Sequence, residues 1–157
     1  MDIVGKRGEA LFRAIITKWC DGKQWFDDTF KGEKAEGLDF EVQLIGSSVF
    51  HANFYVQVKA TAKHTKYAGM GNDRRLLVRL TRADAKKIGN MKVPAYVVGI
   101  DVHSGRAFIK HVPAGSTSGF SGILVRQPLN CIAIKRVWTE VEAFWISRPQ
   151  GMTTSDY

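Results

Sequence analysis

Asn53-Phe54-Tyr55-Val56-Gln57-Val58-Lys59, read with Gly37-Leu38-Asp39-Phe40-Glu41-Val42-Gln43-Leu44 before it, sets the register on which the rest of the chain is arranged. Both stretches alternate. Phe40, Val42 and Leu44 share one face of the first, and Asp39, Glu41 and Gln43 the other. Phe54, Val56 and Val58 share one face of the second, and Asn53, Tyr55, Gln57 and Lys59 the other. A period of two is the pattern of a half-buried strand. Gly46-Ser47-Ser48 between them is turn chemistry, so the two strands are predicted to form a hairpin centred on Ser48. Residues whose numbers sum to about 96 then oppose each other, Asp39 facing Gln57 and Glu41 facing Tyr55. Opposed side chains project from the same face with Cβ atoms roughly 5 Å apart. A slip of one residue would set Asp39 beside an apolar residue, so the hydrophobic pattern itself selects the register.

Asp39, Gln57 and Lys59 are therefore expected together on the polar face of one hairpin. A carboxylate, a neutral oxygen ligand and an ammonium at adjacent strand ends suit metal-assisted attack on a phosphodiester. Asp39, Gln57 and a main-chain oxygen such as that of Val58 are hard donors for Mg²⁺ or Mn²⁺. The cation neutralises phosphate charge and lowers the pKa of a bound water, and Lys59 positions that water or helps to deprotonate it. The spacing alone leaves a second reading open: a hairpin with one solvated face also carries a polar residue at every second position.

A chain of 157 residues is long enough for one domain with a real core and too short for two comfortable ones. The expectation is a single domain over residues 1–150 and a frayed tail over 151–157. Hydrophobic content of 45% and charged content of 24% are those of a soluble globular chain. No apolar run approaches the roughly 18 residues of a membrane span, and the start lacks a basic region followed by an apolar stretch, so a cytoplasmic location is expected. Cys20 and Cys131 could pair, but without a leader they read as small buried residues in a reducing compartment. His51, His64, His103 and His111 are too scattered for a zinc site.

The net charge of +8 is informative because of its position. From Lys59 to Lys92 there are ten basic residues against Asp73 and Asp84, which gives 10 − 2 = +8, and the remainder balances at 13 basic and 13 acidic. Positive charge concentrated in this way is the electrostatic footprint of a polyanion-binding surface. Lys63, Lys66, Arg74 and Arg75 are the candidate contacts to a nucleic-acid backbone.

Along the chain, Lys6 to Trp19 reads as an amphipathic helix ended by Asp21-Gly22, with Glu9 in its first turn and Arg13 four residues on. Gln24 to Phe30 is a short strand and Lys31 to Glu36 a charged connector. Gly69-Met70-Gly71-Asn72-Asp73 is a loop, Arg74 to Leu80 a strand, and Thr81 caps a helix with Asp84 three residues later. Gly89-Asn90 stops that helix. Val93 to Ile100 is apolar enough for a strand covered on both faces. A strand follows over 106–112, a short one between Ile123 and Ile134, and a last helix from Trp138 to Trp145.

Glu9 in the first helix, Asp39 opening a strand and Gln57-Val58-Lys59 ending the next resemble the PD-(D/E)XK, restriction-endonuclease-like superfamily. Gly5-Lys6-Arg7-Gly8-Glu9, Gly37-Leu38-Asp39, Val56-Gln57-Val58-Lys59 and Val93-Pro94-Ala95-Tyr96-Val97-Val98 are most similar to a group of bacterial domains of unknown function within it. The resemblance implies an α/β fold with a central mixed sheet flanked by helices in the order αβββαβ. It also implies a Mg²⁺-dependent nuclease acting on DNA, in anti-phage defence or repair. Asp39, Gln57 and Glu9 would hold the metal and Lys59 would assist the attacking water.

The departure from the motif is Gln57, where most members have Asp or Glu. An amide oxygen can ligate a metal but adds no charge, and Glu41 on the same face could compensate. Restriction enzymes of the methylation-dependent type resemble this chain in carrying glutamine there. Two alternatives follow: an inactive domain that only binds nucleic acid, and a protein-interaction component of a defence system, as a homodimer or with a partner protein.

Overall fold

The alternation across residues 37–44 and 53–59 needs an apolar layer on one side and a partial cover on the other, and the fold supplies both. The computed structural model describes residues 3–34, 37–147 and 154–157; the side chains of 30–34, 37 and 38 lie outside that description. Five strands form the central sheet: β1 (Phe26–Lys34), β2 (Gly37–Leu44), β3 (Asn53–Thr61), β4 (Ala95–Asp101) and β5 (Arg106–His111). They lie in the order β1-β2-β3-β4-β5, antiparallel at every pair except β3 and β4, which run parallel. The helix α2 (Arg82–Gly89) lies in the crossover between that parallel pair, as a parallel connection requires.

Helices α1 (Ile3–Ile16) and α3 (Cys131–Ser147) cover one face of the sheet. Phe12 and Ile16 of α1, with Ile134, Val137 and Val141 of α3, close over Phe40, Val56, Val58, Tyr96 and Val98. Gly8 lets α1 approach closely, because a Cβ there would stand 2.6 Å from the Cβ of Ala60 on β3. The opposite face is covered by Ala85 and Ile88 of α2 and by Leu76, Val78 and Ile123, packed on Tyr55, Ala95, Val97 and Phe108. Gly99 of β4 accommodates this layer, since a Cβ would meet Val78 at 2.9 Å.

The predicted hairpin register is observed: Asp39 pairs with Gln57, Phe40 with Val56 and Glu41 with Tyr55. Thr81 caps α2 as expected, its Oγ1 accepting from the Asp84 N–H at 3.1 Å, and Asn90 ends the helix. All seven residues of β4 are buried, as its apolar run requires.

Other boundaries differ. The first helix runs from Ile3 to Ile16, so Glu9 lies beyond its first turn, and Trp19 leaves the expected apolar stripe and is 67% exposed. Asp21 and Gly22, expected as a helix stop, have φ of 53° and 79° and turn a small hairpin pairing Trp19-Cys20 with Lys23-Gln24. Residues 31–34, expected as a connector, continue β1, with a register shift between Phe30 and Gly32. Of the strand expected over 74–80 only Arg75–Leu76 is one, and of that within 123–134 only Ile123–Leu124. The last helix begins at Cys131, not Trp138, because the Asn130 side chain caps it by accepting from Ala133 N–H at 3.0 Å.

Two further expectations are corrected. Cys20 and Cys131, read as unpaired, form a disulfide that spans 111 residues of chain and ties the small hairpin to the start of α3. Of the expected tail, residues 154–157 are described, and they are anchored. His111 N–H donates to the Tyr157 carbonyl at 3.1 Å, and Asp156 N–H donates to the Glu140 carboxylate at 3.2 Å. No helix among the described residues is long and apolar enough to cross a membrane.

Candidate active site

Asp39, Gln57 and Lys59 lie together on the α2-covered face of the sheet, held by the ladder between β2 and β3. All three are buried, at 7%, 1% and 5% exposure. Three polar side chains placed this deeply cost free energy unless each is matched, so their partners define the chemistry.

Asp39 accepts a short hydrogen bond from the Tyr55 hydroxyl, the neighbour diagonal to it across the hairpin. Burial, and then the hydrogen bond and charge of Asp39, push the Tyr55 hydroxyl well above its usual range, so it remains a donor at any ordinary pH. A carboxylate has two oxygens and several lone pairs, so accepting from Tyr55 does not exhaust its capacity as a ligand. Lys59 forms an ion pair with Asp84 on the first turn of α2, Nζ to Oδ2 at 3.8 Å. Gln57 differs from both, because its Oε1 is buried and has no hydrogen-bond partner. An orphaned buried acceptor of this kind costs about 1–3 kcal/mol, which is recovered when a donor or a cation meets it.

The space around these groups falls into two parts. Asp39, Glu41, Asn53, Tyr55, Met91 and Val93 line a groove of about 490 Å³. Asn53 Nδ2 donates to Glu41 Oε1 at 3.1 Å on its wall, so Glu41 is committed to Asn53 as well as facing the groove. Further along β3, Lys59, Lys63 and Arg79 line a pocket of about 250 Å³. Its three cations suit a phosphate group.

Glu9 is placed elsewhere. It pairs with Arg13 at 3.4 Å, and Arg13 also reaches Asp28 at 3.5 Å and lies over the Phe40 ring. Phe40 and Asp39 are adjacent on a strand, so this network belongs to the α1 face and Asp39 to the other. Val58 sits between Leu38 and Val98 in the ladder with its side chain in the α1-side core, its main chain passing between Gln57 and Lys59.

The predicted backbone-contacting cations also divide. Lys63, Arg74 and Arg75 are exposed. Lys66 is instead drawn into a pair with Asp101 at 3.1 Å, its side chain only 13% exposed. Arg74 lies over the Tyr67 ring at 4.8 Å from its centroid. Arg79, not singled out from the sequence, joins Lys63 beside Lys59.

Asp84 and Tyr55 are the site neighbours that sequence reasoning missed. Asp84 read as a helix-capping acid, and it is one by position; its side chain, however, faces Lys59. Tyr55 was legible as the residue opposite Glu41, and only the diagonal contact reveals its bond to Asp39. Comparison of the chain with family models, with curated proteins and with solved structures gives no match.

The donors present are those of a hard cation. A carboxylate and an unpaired amide oxygen suit Mg²⁺, which keeps several of its waters and is held by one or two carboxylates together with substrate phosphate. No group of three or more His, Cys, Asp or Glu side chains among the described residues is arranged to hold a metal ion.

Proposed function

We propose that this chain is a metal-dependent nuclease domain of the PD-(D/E)XK type that hydrolyses DNA phosphodiester bonds, with α1-β1-β2-β3-α2-β4 as its restriction-endonuclease-like core. The observation that carries the reading is the pairing of Asp39 with Gln57, whose buried Oε1 lacks a partner, with Lys59 two residues on along the same face. The order of helices and strands and the parallel β3–β4 pair support it.

A divalent cation bound by Asp39, Gln57 and the Val58 main chain would supply charge neutralisation at the phosphate and a lowered pKa for a bound water. Tyr55, by donating to one carboxylate oxygen, fixes the Asp39 side chain in a single orientation. Lys59 orients the water or the phosphate, and its burial keeps bulk water from competing. Lys63 and Arg79 hold the phosphate backbone beside it, with Arg74 and Arg75 extending the basic surface. Contacts of this kind are blind to sequence and weaken with salt.

The test is conversion of supercoiled plasmid and single-stranded circular DNA in Mg²⁺ or Mn²⁺. Wild type cleaves, and Asp39→Ala and Lys59→Ala each lose about a hundredfold or more while still binding DNA. One observation favours a second reading, a binding-only domain: Asp39 and Lys59 already have internal partners in Tyr55 and Asp84. DNA binding by wild type with no cleavage in either metal selects that reading.

A further inference from the structure

The motif residues do not balance in charge. Asp39 and Lys59 cancel, Gln57 contributes nothing, and a divalent cation beside them would be largely uncompensated at 1–7% exposure. Charge buried in this way is costly unless an opposite charge meets it. Besides Glu41, which accepts from Asn53 on the wall of the groove, a further carboxylate reaches these residues from outside the hairpin. Asp84 sits on the first turn of α2 and reaches Lys59 at 3.8 Å. Its negative charge also acts on the Tyr55 hydroxyl, behind burial and Asp39 in effect. Tyr55 and Lys59 flank Gln57 on the same strand face, so Asp84 faces the stretch of β3 at whose centre the orphaned Gln57 Oε1 lies.

We propose that Asp84 is the second carboxylate of the metal site, supplied by α2 in place of the acid that the motif lacks at Gln57. The proposal rests on the nuclease reading above and names a residue that reading does not contain. Lys59 serves as an internal counter-ion to Asp84. Asp84, together with Asp39 and Gln57 Oε1, would hold the cation, and its negative charge would offset that of the metal. The α2 backbone is suited to this role. The Asp84 N–H is fixed to Thr81 Oγ1 at 3.1 Å, which anchors the first turn and leaves the carboxylate, at 28% side-chain exposure, on the sheet side.

A plain Asp84→Asn variant would also remove an ion pair of the buried Lys59 ammonium, so the test is made in a background without that ammonium. Mn²⁺ affinity is measured by electron paramagnetic resonance for wild type, Asp39→Asn, Lys59→Gln and the double variant Lys59→Gln/Asp84→Asn. The expected result is that Lys59→Gln binds Mn²⁺ at least as tightly as wild type. The double variant then binds about tenfold or more weakly than Lys59→Gln, as Asp39→Asn does relative to wild type. Adding Gln57→Glu to the double variant restores affinity. Equal affinity of Lys59→Gln and Lys59→Gln/Asp84→Asn, with Asp39→Asn weakened, overturns the role of Asp84 and leaves the nuclease reading standing. Absence of Mn²⁺ binding by wild type, with or without DNA, overturns both.

Discussion

Two clusters in this molecule, each around a buried aspartate, are built from the same three side-chain types, and they are finished differently. In one, Asp101 at the end of β4 accepts from the Tyr67 hydroxyl at 2.8 Å, pairs with Lys66 at 3.1 Å, and takes the His103 N–H at 3.0 Å. Burial alone would raise this carboxyl, but the hydrogen bonds from Tyr67, Ser104 and Lys66 outweigh it and hold the group well below the usual carboxylate range. In the other, Asp39 accepts from Tyr55, Lys59 pairs with Asp84 at 3.8 Å, and Gln57 Oε1 between them has no partner. A completed network is what a structural cluster looks like, since it has no capacity left for a ligand. An incomplete one that is buried stores unfavourable desolvation that a ligand can relieve. The contrast, and not polarity or burial alone, is what favours the second cluster as the candidate site.

The sharpest way to break the comparison is to remove the carboxylate from the completed cluster. Asp101→Asn leaves the partly buried Lys66 beside a neutral amide and weakens the hydrogen bonds to Asp101, and unfolding in urea should show a loss of about 1–3 kcal/mol. DNA cleavage per folded molecule should be unchanged. A loss of cleavage with stability retained would mean that the Asp101 cluster belongs to the site.

Reduction of the Cys20–Cys131 bond should lower stability without distinguishing the clusters. The bond lies at the α1/α3 side of the sheet and closes a 111-residue span, so releasing it frees the unfolded chain by about 2–4 kcal/mol. Thermal unfolding with and without reductant measures this, and Mn²⁺ affinity below the transition should be the same in both states.

His111 provides a control among unpartnered buried atoms. Its Nε2 is buried and unpaired like Gln57 Oε1, yet it stands beside Tyr96 on the α1 side of the sheet. Burial, reinforced by Lys110, lowers its pKa from 6.5 to about 4, so the folded protein holds it neutral where the unfolded chain is already protonated. The unfolded state then binds the extra proton between those values, and stability falls as pH drops from about 6.5 toward 4, by on the order of 2 kcal/mol. His111→Asn should flatten that part of the stability–pH curve.

The smallest effect is the most discriminating. Gln57→Leu replaces an unsatisfied amide by an apolar group of similar size. Stability should be unchanged or rise by up to about 1 kcal/mol, whereas the same change at a satisfied position destabilises. Mn²⁺ binding should weaken in the same variant. A clear loss of stability would show that Gln57 is a structural residue.

The site was partly legible before the fold was known. Strict alternation over 37–44 and 53–59 left a single register that buries both apolar faces, which is why the pairing of Asp39 with Gln57 could be read from residue numbers. The unbroken apolar run of β4 and the Thr81 cap were legible for the same kind of reason, each being a local signal with one structural solution. The helix ends were not. Trp19 continues the helical stripe, but the Asp21-Gly22 turn draws it into a hairpin. Asn130, an ordinary loop residue by composition, starts α3 seven residues before the periodicity does.

Sequence by itself determined what sequence-adjacent patterning can determine: the hairpin, its register, the shared face of Asp39, Gln57 and Lys59, and the concentration of positive charge that follows them. Tertiary structure alone decided which of the candidates are already spent and which are not. Lys66 went to Asp101 and Cys20 to Cys131, while Asp84 was brought to Lys59 by the packing of α2 on the sheet. The reason is physical. A strand's period settles which way a side chain points, but its partner comes from whichever element packs over that face, and that packing joins residues tens of positions apart.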